Sequence, residues 1–132
     1  MKKRLILIFA TLVSLLFLTH AAVSAYDSAQ TKKVMGQAVQ NLKELNAKAT
    51  AKDYFGAAEK FMDIAKIFKG LESIPPPMGD KAQWIRIQEG IITSAFKGVG
   101  TCGLKDDAGI QQAIGEIIKF RDEGHQRFLS KK

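Results

Sequence analysis

The stretch IQQAIGEIIKFRDEGHQRF, residues 110–128, decides the fold expected of this chain. Its apolar residues recur every three or four positions, as on one face of an α-helix: Ile110, Ala113, Ile114, Ile117 and Ile118. Continued along the same face, the pattern meets Arg121, then His125, then Phe128. The stretch therefore predicts an amphipathic helix whose apolar face carries two polar residues near its end.

Three further apolar stripes with the same helical spacing precede this one. They comprise Met35, Ala38, Val39, Leu42 and Leu45; Tyr54, Ala58, Phe61, Met62, Ala65 and Phe68; and Trp84, Ile87, Ile91, Ile92, Ala95 and Phe96. The alternation typical of β-strands is absent from the sequence. We therefore predict an all-α fold, an antiparallel up-down-up-down four-helix bundle.

The expected connections follow from helix-breaking and capping residues. The first break is expected near residues 46–53, with Thr50 or Asp53 as the cap of the second helix. Pro75, Pro76 and Pro77 mark the middle connection. The third helix is expected to end in the glycines at 98, 100 and 103, and Asp106 or Asp107 to cap the fourth.

Residues 1–25 have the organisation of a signal peptide. Basic residues at positions 2–4 precede an apolar run over residues 5–18, and Val23-Ser24-Ala25 is a small-residue pattern suited to cleavage. The run is shorter than the roughly 20 apolar residues of a membrane-spanning helix. We expect a mature domain, residues 26–132, that is exported, soluble and not associated with a membrane after cleavage.

Charge and cysteine content exclude several classes of function. Cleavage lowers the net charge from +7 to +4, because the leader holds three of the 20 basic residues and none of the 13 acidic ones. Export and this modest charge argue against a nucleic-acid partner. The single cysteine, Cys102, excludes an internal disulfide and a doubly thioether-linked haem. We expect Cys102 to be a small buried residue, with an intermolecular disulfide in a homodimer as the alternative.

The two polar residues on the fourth helix allow two interpretations. Arg121 and His125 lie in the last turns of the helix, where the helix dipole favours a cation and a long side chain can reach water. Alternatively, His125 ligates a metal cofactor inside the bundle and Arg121 offers its charge to the cofactor's carboxylates. An unpartnered buried guanidinium would cost several kcal/mol. In the second interpretation the cofactor's carboxylates are its partner.

A haem would satisfy the second interpretation. His125 is the only histidine outside the leader, which excludes a site of several histidines for zinc or copper. Haem iron needs one imidazole, and a thioether can take its opposite face. Met35 lies at the same end of an antiparallel bundle as His125, whereas Met62 is expected to fill the core and Met78 to lie in a loop. Gly36 and Gly124 lie next to the two candidate ligands in the sequence. Glycine is favoured at such positions where a flat macrocycle approaches closely or where two helices cross tightly.

These residues resemble those of the periplasmic four-helix cytochromes, namely cytochrome c-prime and its soluble b-type relative. The stretch RDEGHQRF, residues 121–128, is similar to the c-type motif Cys-x-x-Cys-His-x-x-Phe/Tyr without its cysteines, and to the ending of the b-type relative. Met35, followed after five residues by Asn41-Leu42-Lys43, is similar to the ligand methionine region. The stretch DAGIQQAIG, residues 107–115, and the proline-rich loop before Trp84 are also similar to the c-prime pattern.

The resemblance implies a periplasmic electron-transfer protein with non-covalently bound haem b and a protein redox partner. It implies His125 as the proximal ligand, Met35 as the distal ligand, Arg121 beside the haem edge and Phe128 in the pocket wall. Gly124 stands where a larger residue would add wall area. Without the cysteines the haem could exchange or be absent.

The alternative is a haem-free interaction module of the same fold. In that case Arg121 pairs with a carboxylate such as Asp27 or Glu123, or contributes to a dimer contact. We expect no enzyme, because the sequence offers no nucleophile-and-base pair near His125.

Overall fold

The computed structural model describes residues 27–129, and within them the chain forms four helices. They are α1 (Ser28–Thr50), α2 (Tyr54–Leu71), α3 (Lys81–Gly103) and α4 (Asp107–Phe128). Consecutive helices pack against each other, and α1 also meets α4, which closes the bundle. The predicted all-α four-helix bundle is confirmed. The predicted signal peptide, residues 1–25, lies outside the described residues.

Each of these helices begins at an aspartate whose carboxylate accepts hydrogen bonds from free backbone N–H groups. Asp27 accepts from the Ala29 N–H at 3.0 Å and Asp80 from the Ala82 N–H at 2.8 Å. Asp53 accepts from Gly56 at 2.9 Å and Asp106 from Gly109 at 3.0 Å. Of the predicted alternatives, Asp53 rather than Thr50 and Asp106 rather than Asp107 are the caps, since their backbone lies outside the helix and points the carboxylate at the first turn.

One helix end lies later in the chain than the sequence suggests, because α1 continues to Thr50, through most of the predicted break. α3 ends at Gly103, the last of the three glycines at which its end was predicted, and keeps Gly98 and Gly100 within the helix. Lys52 and Lys105, with φ of 56° and 53°, take the left-handed conformation that closes these helices. Glycine is a helix breaker by propensity alone, and tertiary packing retains it inside α3.

The core is tightest where α2 meets α3. Phe61 is fully buried, and a Cβ added at Gly98 would lie only 2.3 Å from the Phe61 Cζ atom. Gly98 is therefore the residue that lets a phenylalanine ring from α2 lie on the backbone of α3. Packing between α1 and α4 is much sparser. None of the helices within residues 27–129 is both long and apolar enough to cross a membrane.

Candidate functional site

A groove of about 180 Å³ lies where α1 and α4 are sparsely packed, with α2 as its floor. It is lined almost entirely by apolar atoms. The lining residues are Met35, Gly36, Ala38, Val39 and Leu42 from α1, Ile64 and Phe68 from α2, and Ile117, Arg121 and His125 from α4. This volume lies below the roughly 300–1,000 Å³ typical of sites for small molecules and cofactors, so a larger group would enter only if α1 and α4 moved apart.

A second space, the inner cavity, adjoins the groove at the end of the bundle that carries the proline-rich loop. It has a volume of about 40 Å³ and shares Met35, Phe68, Arg121 and His125 with the groove. Its other lining residues are Thr31, Pro77, Trp84, Ile87, Gln88, Ile91, Gly124, Phe128 and Leu129. We call these two neighbouring spaces, together with the side chains that line them, the slot.

The structure brings all five of the predicted site residues to this slot. Met35, Arg121 and His125 line both spaces, and Gly124 and Phe128 line the inner cavity. Phe128 is buried and packs edge-on against Trp84, with ring centroids 5.1 Å apart. Because α1 and α4 run in opposite directions, residues far apart in sequence meet at one end of the bundle.

His125 lies at the solvent side of the slot. The residue is exposed, yet it contributes to the walls of both the groove and the inner cavity. Within the described part of the chain its imidazole makes no hydrogen bond and no ion pair. Met35 is half-buried against the core from the opposite helix. The imidazole and the thioether are therefore both available as ligand donors.

Arg121 forms an ion pair with a carboxylate, as the haem-free alternative allows, but its partner is the adjacent Asp122. Its Nε and Nη2 atoms both donate to Asp122 Oδ1, at 2.9 and 2.8 Å, on the rim of the groove. Neither Asp27 nor Glu123 is its partner, since Glu123 accepts from Arg86 of α3 and Arg127 of α4. Burial raises the pKa of Glu123, but these two arginines outweigh it and hold the pKa below its ordinary value.

The glycines beside the two candidate ligands differ in their surroundings. A Cβ at Gly36 would meet nothing within 4 Å, so the wall of the groove is open there. A Cβ at Gly124 would lie 3.4 Å from Ile87 Cγ2, within ordinary contact distance. Gly124 therefore marks a close crossing of α3 and α4, whereas Gly36 leaves space beside Met35.

Two residues of the slot were missed in the sequence. Phe68 was predicted only as core, yet it lines both spaces. Gln88 is 2% exposed and lies on the buried face of α3 among Trp84, Ile87 and Ile91. The signal for Gln88 was available, because it is a polar residue at the apolar spacing of its helix, as are Arg121 and His125.

The remaining candidates lie elsewhere. Met62 was predicted to fill the core, and this is wrong, because it faces a surface groove between α2 and α3 instead. Met78 is half-buried in the proline-rich loop, as predicted. Cys102 is buried in the last turn of α3, and burial raises the pKa of its thiol. Within residues 27–129 no cluster of three or more histidine, cysteine, aspartate or glutamate residues could hold a metal ion.

Comparison with protein-family models, with curated protein sequences and with solved structures found no match for this chain.

Proposed function

We propose that this chain is an exported haem b protein that transfers single electrons, with His125 and Met35 as the iron ligands. The observation that carries the proposal is the apolar slot between α1 and α4, into which both side chains are placed from opposite helices. In the periplasm its partner would be a redox protein. This is the function that the resemblance to the periplasmic four-helix cytochromes implies.

The chemistry of the residues present suits a haem, whereas the two spaces, of about 180 and 40 Å³, admit one only if the sparsely packed α1 and α4 move apart. The slot is flanked by separate helices, is lined with apolar atoms, and has one open edge beside Gly36. These features suit a flat, apolar macrocycle held without covalent bonds, because apolar burial then supplies much of the binding free energy. The donor set, one imidazole and one thioether, is one that haem iron accepts.

Different side chains would contact different parts of the haem. Phe68 and Ile64 of α2 close the inner side and exclude water, while Arg121 stands at the rim. Arg121 gives both bonded nitrogens to Asp122, and its remaining Nη1 group can pair with a carboxylate at the solvent edge. When bound, haem supplies one-electron chemistry, and a sulfur ligand favours the reduced iron.

A haem-free interaction module is the second candidate, and the exposure of two phenylalanines favours it. Phe55 is 77% exposed and Phe96 is 53% exposed, on α2 and α3. Exposed aromatic rings of this kind are enriched at protein contacts. On this reading the protein has no visible absorption, and its contacts lie away from the slot.

Titration of the purified, colourless protein with hemin tests the first candidate. We expect binding of one haem per chain, a Soret band, and quenching of the fluorescence of Trp84, the single tryptophan, which lines the inner cavity. His125→Gly should lose the ligated spectrum and regain it with added imidazole. Met35→Ala should change the spectrum, whereas Met62→Ala, which alters a methionine outside the slot, should not.

A pair of glycine variants tests the location of the site without touching a ligand. Gly36 and Gly115 are both exposed helical glycines beside open space, but only Gly36 lines the groove. Gly36→Leu should fill the groove and weaken hemin binding at least about tenfold, while Gly115→Leu should leave it unchanged. Equal hemin affinity in the two variants, or no binding by the wild-type protein, would contradict the proposal.

A further inference from the structure

Gln88 is a buried polar residue without a partner, and it lines the inner cavity. The residue is 2% exposed, and its Oε1 atom accepts no hydrogen bond from any described residue. Leaving a buried acceptor unsatisfied costs about 1–3 kcal/mol. A methionine of similar length would avoid that cost, so the carboxamide points to a donor that enters the cavity.

The other buried polar residues of the described chain do have partners. The Ser94 hydroxyl bonds the Gly90 carbonyl at 2.9 Å and lies 3.2 Å from Glu116 Oε2, and the Thr31 hydroxyl donates to the Asp27 carbonyl at 2.9 Å. Gln88 is thus the exception among the three buried polar residues. One other buried side-chain oxygen of the described residues, Oε1 of the half-buried Glu72, also accepts no hydrogen bond, but Glu72 pairs with Lys69 through Oε2 and does not line the slot.

The neighbours of Gln88 place it on the same side of the slot as His125. α3 packs against α4, whereas α2 packs against α1, so a flat group between α1 and α4 has α3 and α4 on one side. Ile87, the residue before Gln88, lies against Gly124, the residue before His125. Arg86 also pairs with Glu123 at this level of the bundle.

The missing partner must be a donor, and the cavity offers few. Haem itself carries carboxylates, which accept hydrogen bonds when ionised. Arg121 also lines the cavity but directs two nitrogens to Asp122. An imidazole that binds iron through one nitrogen keeps an N–H on the other, and in proteins that N–H is almost always hydrogen-bonded.

We infer that Gln88 is a positioning residue for His125: its Oε1 accepts the hydrogen bond of the imidazole nitrogen that does not bind iron. The inference rests on the proposed haem site. The bond fixes the orientation and tautomer of the ring and makes it a stronger donor, which favours the ferric state. Gln88 therefore sets the reduction potential without touching the iron.

The test compares wild-type holoprotein with Gln88→Met, which keeps the length of the side chain and removes the acceptor, and with Gln88→Glu, which restores one. Histidine labelled with ¹⁵N reports on the site, because His125 is the single histidine outside residues 1–25. In the ferrous protein we expect the free imidazole N–H to exchange with solvent at least about tenfold faster in Gln88→Met. The potential should rise in Gln88→Met and fall in Gln88→Glu.

Ser94→Ala is the matched control, since it alters a buried polar residue of the same helix whose hydroxyl is already paired. It should change stability without changing the imidazole exchange rate or the potential. If the wild type binds hemin but Gln88→Met leaves both quantities unchanged, Gln88 has no role towards His125 and the haem proposal stands. If the wild type binds no hemin, both proposals are wrong.

Discussion

Two helix contacts of this bundle differ in how closely they pack. α2 packs tightly against α3, whereas α1 and α4 stand apart. At the first, Gly98 removes its side chain so completely that the Phe61 ring occupies the space of a Cβ. At the second, Gly36 faces open space and a groove of about 180 Å³ separates the helices. Both regions are apolar, so hydrophobicity alone does not distinguish a core from a site.

The difference shows that the seam between α1 and α4 contributes little to the packing of the core. The largest fully buried side chains include Leu45 of α1, Phe61 of α2 and Ile110 of α4, none of which lines the slot. The slot, in contrast, collects the polar residues of the buried faces: Gln88, Arg121 and His125. Such segregation is what a binding site needs, because the fold does not depend on filling the slot.

The largest expected effect comes from truncating Phe61, in the core between α2 and α3, and comparing it with Phe68, which lines the slot. Phe61→Ala should lower the free energy of unfolding by about 3–5 kcal/mol, because the ring is enclosed by core atoms. Phe68→Ala should cost only about 2 kcal/mol, since one side of its ring already faces empty space. Urea denaturation of the haem-free variants measures both, and equal losses would contradict the distinction.

Replacing a glycine by alanine, which adds a single methyl group, compares the same two regions. Gly98→Ala should destabilise the protein by about 2 kcal/mol, because the buried Phe61 ring has no room to move away. Gly36→Ala should instead stabilise it by up to about 1 kcal/mol, since alanine is the better helix former and nothing lies within 4 Å. Thermal unfolding should therefore give shifts of opposite sign.

The smallest expected effect concerns an ion pair between α3 and α4, away from the slot. The Lys97 ammonium, 3.1 Å from Glu116, lowers the pKa of that carboxyl below its ordinary 4.5 against the effect of burial, and Gln112 and Ser94 assist. A lowered pKa stabilises the folded state above the ordinary value, and this stabilisation is lost as the pH falls through the lower, folded-state pKa.

Glu116→Gln should therefore cost about 0.5 kcal/mol at pH 7 and nothing once the carboxyl is protonated in both states. Lys97→Met should show the same loss at pH 7, and the double variant should lose no more than either single variant. Urea denaturation at pH 7 and at acid pH measures all three. A difference between wild type and Glu116→Gln that persists at acid pH would assign the effect to packing instead.

Much of the fold was predictable because its determinants are local. Apolar residues at helical spacing gave all of the helices within residues 27–129, and an aspartate caps each of them. The interruption of the α4 stripe by Arg121 and His125 likewise indicated the region of the slot. The glycines at 98, 100 and 103 predicted the region in which α3 ends, but not that Gly103 is the last of the helix, since Gly98 lies inside α3 in contact with Phe61.

The helices, their caps and the presence of polar residues on buried faces follow from local sequence, since they depend on neighbours within a few positions. The packed fold was needed to show that α1 and α4 stand apart, that Arg121 pairs with Asp122, and that Gln88 Oε1 accepts no hydrogen bond from a described residue. The physical reason is that empty space and an unpaired acceptor arise from residues on different helices, whose distances no local pattern specifies.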